Sequence, residues 1–132
     1  MTTILIMEDN PHQLRLMRRL LEHAGYTVLE APDGERGLRA AMASVPDLIL
    51  LDMGLPDLDG QTVVGLLKGS TLLARTPVVA VTAWPEDYAA EMAAAYGCDG
   101  YLSKPISARL FAEQVGAYLA PPDEESSAHA AL

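Results

Sequence analysis

Five short apolar runs punctuate the chain, at residues 4–7, 27–31, 48–51, 77–81 and 100–102. The third, Leu48, Ile49, Leu50 and Leu51, lacks the polar alternation of a half-exposed strand and predicts a strand buried on both faces of a parallel sheet. Between the runs the apolar positions follow helical spacing. Asn10 can cap a first helix with Pro11 in its first turn. Leu14, Met17, Leu21 and Ala24 make its inner stripe, Arg15, Arg18, Arg19 and Glu22 its outer face, and Gly25 can end it. Asp33 can cap a second helix running to about Ser44, with Leu38, Ala41 and Met42 inward and Pro46 blocking continuation. A third, from about Gln61 to Lys68, has Val63, Val64, Leu66 and Leu67 as apolar surface and is weakened by Gly65 and Gly69. The alanine-rich residues 85–96 carry Glu86, Asp87 and Glu91 toward their start, where a helix dipole favours acids, and Gly97 stops them. Ser107 is placed to cap a last helix whose Leu110, Phe111, Val115 and Leu119 face the sheet, before Pro121 and Pro122.

Strand and helix alternate five times, which predicts an α/β fold: a doubly wound parallel sheet in one domain over residues 1–120. Residues 121–132 hold too little apolar content for a fold and are expected to be a disordered tail. A length of 132 residues, half of them hydrophobic, fits one domain with a real core.

The formal net charge of −9 argues against direct nucleic-acid binding, because nothing supplies a basic stripe to neutralise phosphates. It favours soluble protein partners, or simply solubility. Cys98 is the only cysteine, so no internal disulfide forms, and it is expected to be an inert small hydrophobe. No apolar stretch approaches the roughly 20 residues of a membrane span, and the amino terminus lacks a signal-like pattern. A cytoplasmic location is the expectation. His12, His23 and His129 are too scattered to suggest a metal site. Arg36 and the arginines of the first helix are read as a solvated face, with a docking patch as the alternative.

The third run delivers Asp52 into a loop punctuated by Gly54, Pro56 and Gly60. Loops beyond the carboxyl ends of parallel strands are where open α/β sheets bind ligands. Glu8 and Asp9 follow the first run in the same way, and three carboxylates at two strand ends suit a hard cation such as Mg²⁺. Thr82, Trp84 and Lys104 follow the fourth and fifth runs. A hydroxyl donor and a point charge are what a tetrahedral oxyanion needs beside a metal. Lys104-Pro105 is a plausible cis peptide. Asp57 and Asp59, several residues past the strand, are expected to be turn formers and helix-entry acids.

Taken together, Met-Glu-Asp-Asn at the first strand end, Leu-Asp-Met-Gly-Leu-Pro-Asp-Leu-Asp-Gly at the third, Val-Thr-Ala-Trp at the fourth and Tyr-Leu-Ser-Lys-Pro at the fifth resemble the receiver domain of two-component response regulators, over about residues 3–119. The resemblance implies a flavodoxin-like sheet of order 2-1-3-4-5 with helices on both faces. It implies a stand-alone signalling switch that is not an enzyme but takes part in its own phosphoryl transfer and dephosphorylation. Asp52 would be the phosphoacceptor, taking a phosphoryl group from a histidine kinase or histidine phosphotransfer protein. Asp9, Asp52, the Gly54 backbone and, through water, Glu8 would hold Mg²⁺. Thr82 and Lys104 would pair with the phosphoryl group, Tyr101 would change rotamer with Thr82, and output would pass to an effector protein. Without the resemblance Tyr101 reads as core.

Glu8 stands where the family often has aspartate, Gly54 lacks a side chain frequent at its position, and Trp84 is bulkier than the small residue common there. Trp84 is therefore read as a modulator of phosphoryl loss, either as a lid or as a surface residue awaiting a partner. An aspartate-nucleophile phosphohydrolase would need a second acid where Gly54 sits. An interaction module working without phosphorylation would leave the acid, threonine and lysine set unexplained.

Overall fold

The computed structural model describes residues 1–119, and the expected tail lies outside them. Five strands and five helices alternate: β1 (Thr3–Met7), α1 (Pro11–His23), β2 (Thr27–Ala31), α2 (Gly34–Ser44), β3 (Leu48–Asp52), α3 (Gly60–Gly69), β4 (Val78–Thr82), α4 (Glu86–Tyr96), β5 (Gly100–Ser103) and α5 (Phe111–Gly116). All strand pairs are parallel, in the order β2-β1-β3-β4-β5. The doubly wound sheet expected from the sequence is the one observed.

Alternation along each strand divides the core. Ile4, Ile6, Leu48, Leu50, Val79 and Val81 pack with Met17 and Leu21 of α1 and Phe111 and Val115 of α5. Leu5, Met7, Ile49, Leu51 and Val78 pack on the other face with Ala41 of α2 and Val63, Val64 and Leu67 of α3. Successive side chains of a strand point to opposite faces, so runs without polar positions are what two covered faces require. The strand order reverses direction between β1 and β3, and their carboxyl ends open the crevice where such sheets bind ligands.

The helix starts are built as the sequence implies. Asn10 Oδ1 accepts the N–H groups of His12 and Gln13, Asp33 that of Arg36, and Asp59 that of Thr62. Helix α3 forms fully despite its glycines, with Val63, Val64 and Leu67 buried. At the end of α2, Val45 takes a left-handed φ of 44°, a rare conformation for a β-branched residue, just before Pro46.

Three apolar assignments change. Met42 is 47% exposed, beside the buried Ala41 of α2, and Ala24 is exposed because it is the cap residue just past the end of α1. Leu110 is 40% exposed rather than facing the sheet. Helix α5 is shorter than expected: Ser107 organises a turn, its Oγ and carbonyl accepting the Leu110 N–H, and regular helix begins only at Phe111. That delay leaves Phe111 and Val115, one helical turn apart, as the inward pair.

Candidate functional site

The Glu8 N–H bonds to the Ala31 carbonyl at 3.0 Å, carrying the β1–β2 ladder one residue past the strand, and the Glu8 side chain is 1% exposed. Asp9 faces solvent, and Asp52, the last residue of β3, is buried. Carboxylate oxygens of Glu8, Asp9 and Asp52 all lie within 4.8 Å of one another. Crowding of this kind raises the cost of ionisation. Burial, and then the charge of Asp52, hold the Glu8 carboxyl above its ordinary pKa, against the Asn10 N–H and Lys104.

Lys104 enters this cluster from the end of β5. Its N–H bonds to the Thr82 carbonyl at 2.7 Å, and its peptide bond to Pro105 is cis. The ammonium stands 3.1 Å from Asp52 Oδ1 and 3.3 Å from Glu8 Oε1. Burial pulls the lysine pKa down, but the hydrogen bond to Asp52 and the charges of Asp52 and Glu8 outweigh it and leave the pKa raised. One cation pairs with two of the three clustered carboxylates. Glu8 Oε1 is buried and its one close partner is the Lys104 ammonium at 3.3 Å, outside good hydrogen-bond geometry, so the cluster holds more carboxylate oxygens than one ammonium can satisfy. An oxygen-rich, net-negative group with a poorly satisfied buried acceptor fits a divalent cation such as Mg²⁺.

The Gly54 N–H turns back to Asp52 Oδ1 at 3.1 Å and orients that carboxylate. Thr82, last in β4 and 3% exposed, accepts the Trp84 N–H on Oγ1 at 3.0 Å, which leaves its hydroxyl proton available for donation. Asp52, Gly54, Thr82, Trp84 and Lys104 line one cleft of about 340 Å³. The Trp84 ring packs edge-on against Tyr88 and Tyr96, with centroids 5.7 Å from each, so it is anchored to α4.

Tyr101 is not a core residue. It is half-buried, and its hydroxyl donates to Glu86 Oε2 at 2.8 Å, a bond that raises the phenol pKa. Ser103 Oγ donates to the other oxygen of the same carboxylate at 3.1 Å. Sequence reasoning missed Glu86 and Ser103 as partners of this region. The one available signal was the two-residue spacing of Tyr101 and Ser103, which puts both hydroxyls on one face of β5. Asp57 and Asp59 stay outside the acidic cluster: Asp59 caps α3, and Asp57 accepts the Gly34 and Glu35 N–H groups at 2.8 and 3.0 Å. Cys98 is half-buried, and burial with the charge of Asp99 pushes its thiol up to about 11.

A parallel sheet with acids gathered where its strand order reverses defines an open, doubly wound α/β domain. Residues 4–115 match the response regulator receiver domain, and the chain belongs to that family. It is 38% identical to the polar-differentiation response regulator DivK of Brucella anthropi over 117 residues, 89% of this chain and 95% of that protein. Its fold superposes on a putative response regulator from Chloroflexus aurantiacus with a TM-score of 0.85 at 28% identity, covering 91% of this chain and 98% of the other. The chemotaxis response regulator CheY4 of Vibrio cholerae also gives 0.85, at 24% identity, covering 90% of this chain and 99% of the other. The protein is thus a receiver domain of two-component signalling, a signalling domain rather than an enzyme in the ordinary sense. No helix among the described residues is long and apolar enough to cross a membrane.

Proposed function

We propose that this protein is a phosphorylation-driven switch in which Asp52 accepts a phosphoryl group from a phosphohistidine on a histidine kinase or a histidine phosphotransfer protein. The observation that carries this reading is the convergence of Asp52, Thr82 and Lys104 on one cleft beside Glu8 and Asp9. A carboxylate oxygen of Asp52 attacks phosphorus, the phosphorus–nitrogen bond to histidine breaks, and an acyl phosphate forms. Lys104, 3.1 Å from Asp52 Oδ1, is within reach of the new phosphoryl oxygens as a charge-assisted partner. Thr82 turns its hydroxyl proton toward the same oxygens. Asp9, Asp52, the Gly54 backbone and, through water, Glu8 would hold Mg²⁺, which would offset the charge crowding between phosphoryl group and carboxylates.

Movement of Thr82 passes to Tyr101, and the altered surface around α4, β5 and α5 engages an effector protein. The domain extends over residues 1–120, in cytoplasm. Intact-mass measurement after incubation with acetyl phosphate and Mg²⁺ tests the reading: one phosphoryl adduct is expected on the wild type and none on Asp52→Asn. An undiminished adduct on Asp52→Asn would remove Asp52 from the role.

A further inference from the structure

We infer that Glu86 is a positioning residue, resting on the switch reading above: its carboxylate ties the first turn of α4 to β5 and holds Tyr101 outward until Thr82 moves. Both oxygens are committed, Oε2 to the Tyr101 hydroxyl at 2.8 Å and Oε1 to Ser103 Oγ at 3.1 Å. Hydrogen bonds to an ionised acceptor are roughly twice as strong as neutral ones, so the pair makes a firm clasp between two elements otherwise joined by packing. Ser103 immediately precedes Lys104, which puts one end of the clasp beside the ammonium that faces Asp52.

The other end connects to the cleft through a short stretch of chain. Thr82 Oγ1 holds the Trp84 N–H at 3.0 Å, and Glu86 opens α4 two residues later. The Thr82 backbone is fixed separately, by the Lys104 N–H on its carbonyl at 2.7 Å. Displacement of the Thr82 hydroxyl therefore strains the Trp84 turn and the Glu86 clasp while β5 stays in register. The clasp forms part of the wall of a groove of about 560 Å³ shared by Glu86, Tyr101, Ser103, Gln114 and Tyr118, so its release alters a surface outside the cleft.

Release is feasible because Glu86 has a second source of stabilisation. It lies in the first turn of α4, where the helix dipole favours a negative charge whether or not the hydroxyls are bound. Two arrangements of one carboxylate then differ by two hydrogen bonds, a gap that an event at Asp52 can bias.

The test labels the tyrosines with 3-fluorotyrosine, assigns the Tyr101 fluorine resonance by its loss in Tyr101→Phe, and compares wild type, Glu86→Gln and Glu86→Ala. Each is measured alone and with Mg²⁺ and beryllium fluoride as phosphoryl mimic. Without the mimic, the resonance in Glu86→Ala is expected to move toward the position that the mimic produces in wild type. Glu86→Gln, which keeps one carbonyl acceptor, is expected to fall between. The Tyr101 phenol should also titrate at lower pH in Glu86→Ala, with the acetyl phosphate adduct on Asp52 retained. A Glu86→Ala resonance that stays at the wild-type position, or moves elsewhere, overturns the positioning role. A wild type that forms no adduct and ignores the mimic overturns the switch reading instead, and the mutant's phenol titration still decides whether Glu86 holds Tyr101.

Discussion

Lys104 and Asp52, 52 residues apart in sequence, meet at 3.1 Å, and the same ammonium lies 3.3 Å from the buried Glu8. One lysine thus compensates two carboxylates from different strands.

Lys104→Ala leaves those carboxylates facing each other. Near neutral pH the variant is expected to be less stable than wild type by about 1–3 kcal/mol, the cost of uncompensated buried charge. Glu8 is already held above its ordinary pKa by burial and Asp52, and losing Lys104 raises it further. A raised carboxyl destabilises the fold as pH rises through its folded value. The deficit should therefore shrink on acidification through the carboxylate range, as read by denaturant unfolding at several pH values. A deficit that grew would contradict the charge account. The variant should retain Mg²⁺ affinity while losing the Tyr101 response to beryllium fluoride.

Mg²⁺ should raise the thermal midpoint of the wild type, since a ligand at 100 times its dissociation constant stabilises by about 2.7 kcal/mol. Glu8→Gln and Asp9→Asn should each flatten that rise, and a chelator should abolish the acetyl phosphate adduct. An adduct that persists in chelator would separate phosphorylation from the acidic cluster.

The Trp84 ring, held between Tyr88 and Tyr96, should report on the cleft because the backbone N–H of the same residue bonds to Thr82 Oγ1. Emission is expected to change when acetyl phosphate is added with Mg²⁺ already present. Tyr96→Ala should release the ring at a cost of about 0.5–1.5 kcal/mol beyond lost burial. Trp84→Ala should shorten the acyl-phosphate lifetime. Equal lifetimes would confine Trp84 to packing on α4.

Asp57 accepts two N–H groups from the start of α2, and these hold its carboxyl below the ordinary value of 3.8. A lowered carboxyl contributes stability fully above the unfolded value, lost as pH falls through the folded one. Asp57→Asn is expected to unfold at lower temperature at neutral pH, with the difference from wild type closing below about pH 4. A constant difference across that window would mean that charge at Asp57 is immaterial to α2.

The fold was legible because its main signals are local. Leu48–Asp52 and Val78–Thr82 are apolar without alternation, and only a sheet covered on both faces buries them. Asn10, Asp33 and Asp59 cap helices within three residues of themselves, so their roles travel with the sequence. Glu8, Asp9, Asp52, Thr82 and Lys104 could be named because each follows a strand run, and parallel strands deliver their carboxyl ends to one edge.

What the sequence could not give are contacts between elements whose relative height is set by packing. The charge of Glu86 was read correctly as a first-turn acid, but its partners Tyr101 and Ser103 lie across the α4–β5 boundary, where no periodicity points. Asp57 looked like a turn former because its N–H partners belong to α2, more than twenty residues earlier in the chain. Leu110 was assigned to the core by spacing alone, and the turn at Ser107 shifted the start of α5 so that Phe111 took that place. Local pattern determined which residues form strands and caps and which make up the candidate site. Only the tertiary structure decided which of them touch, because those distances depend on how the helices settle on the sheet.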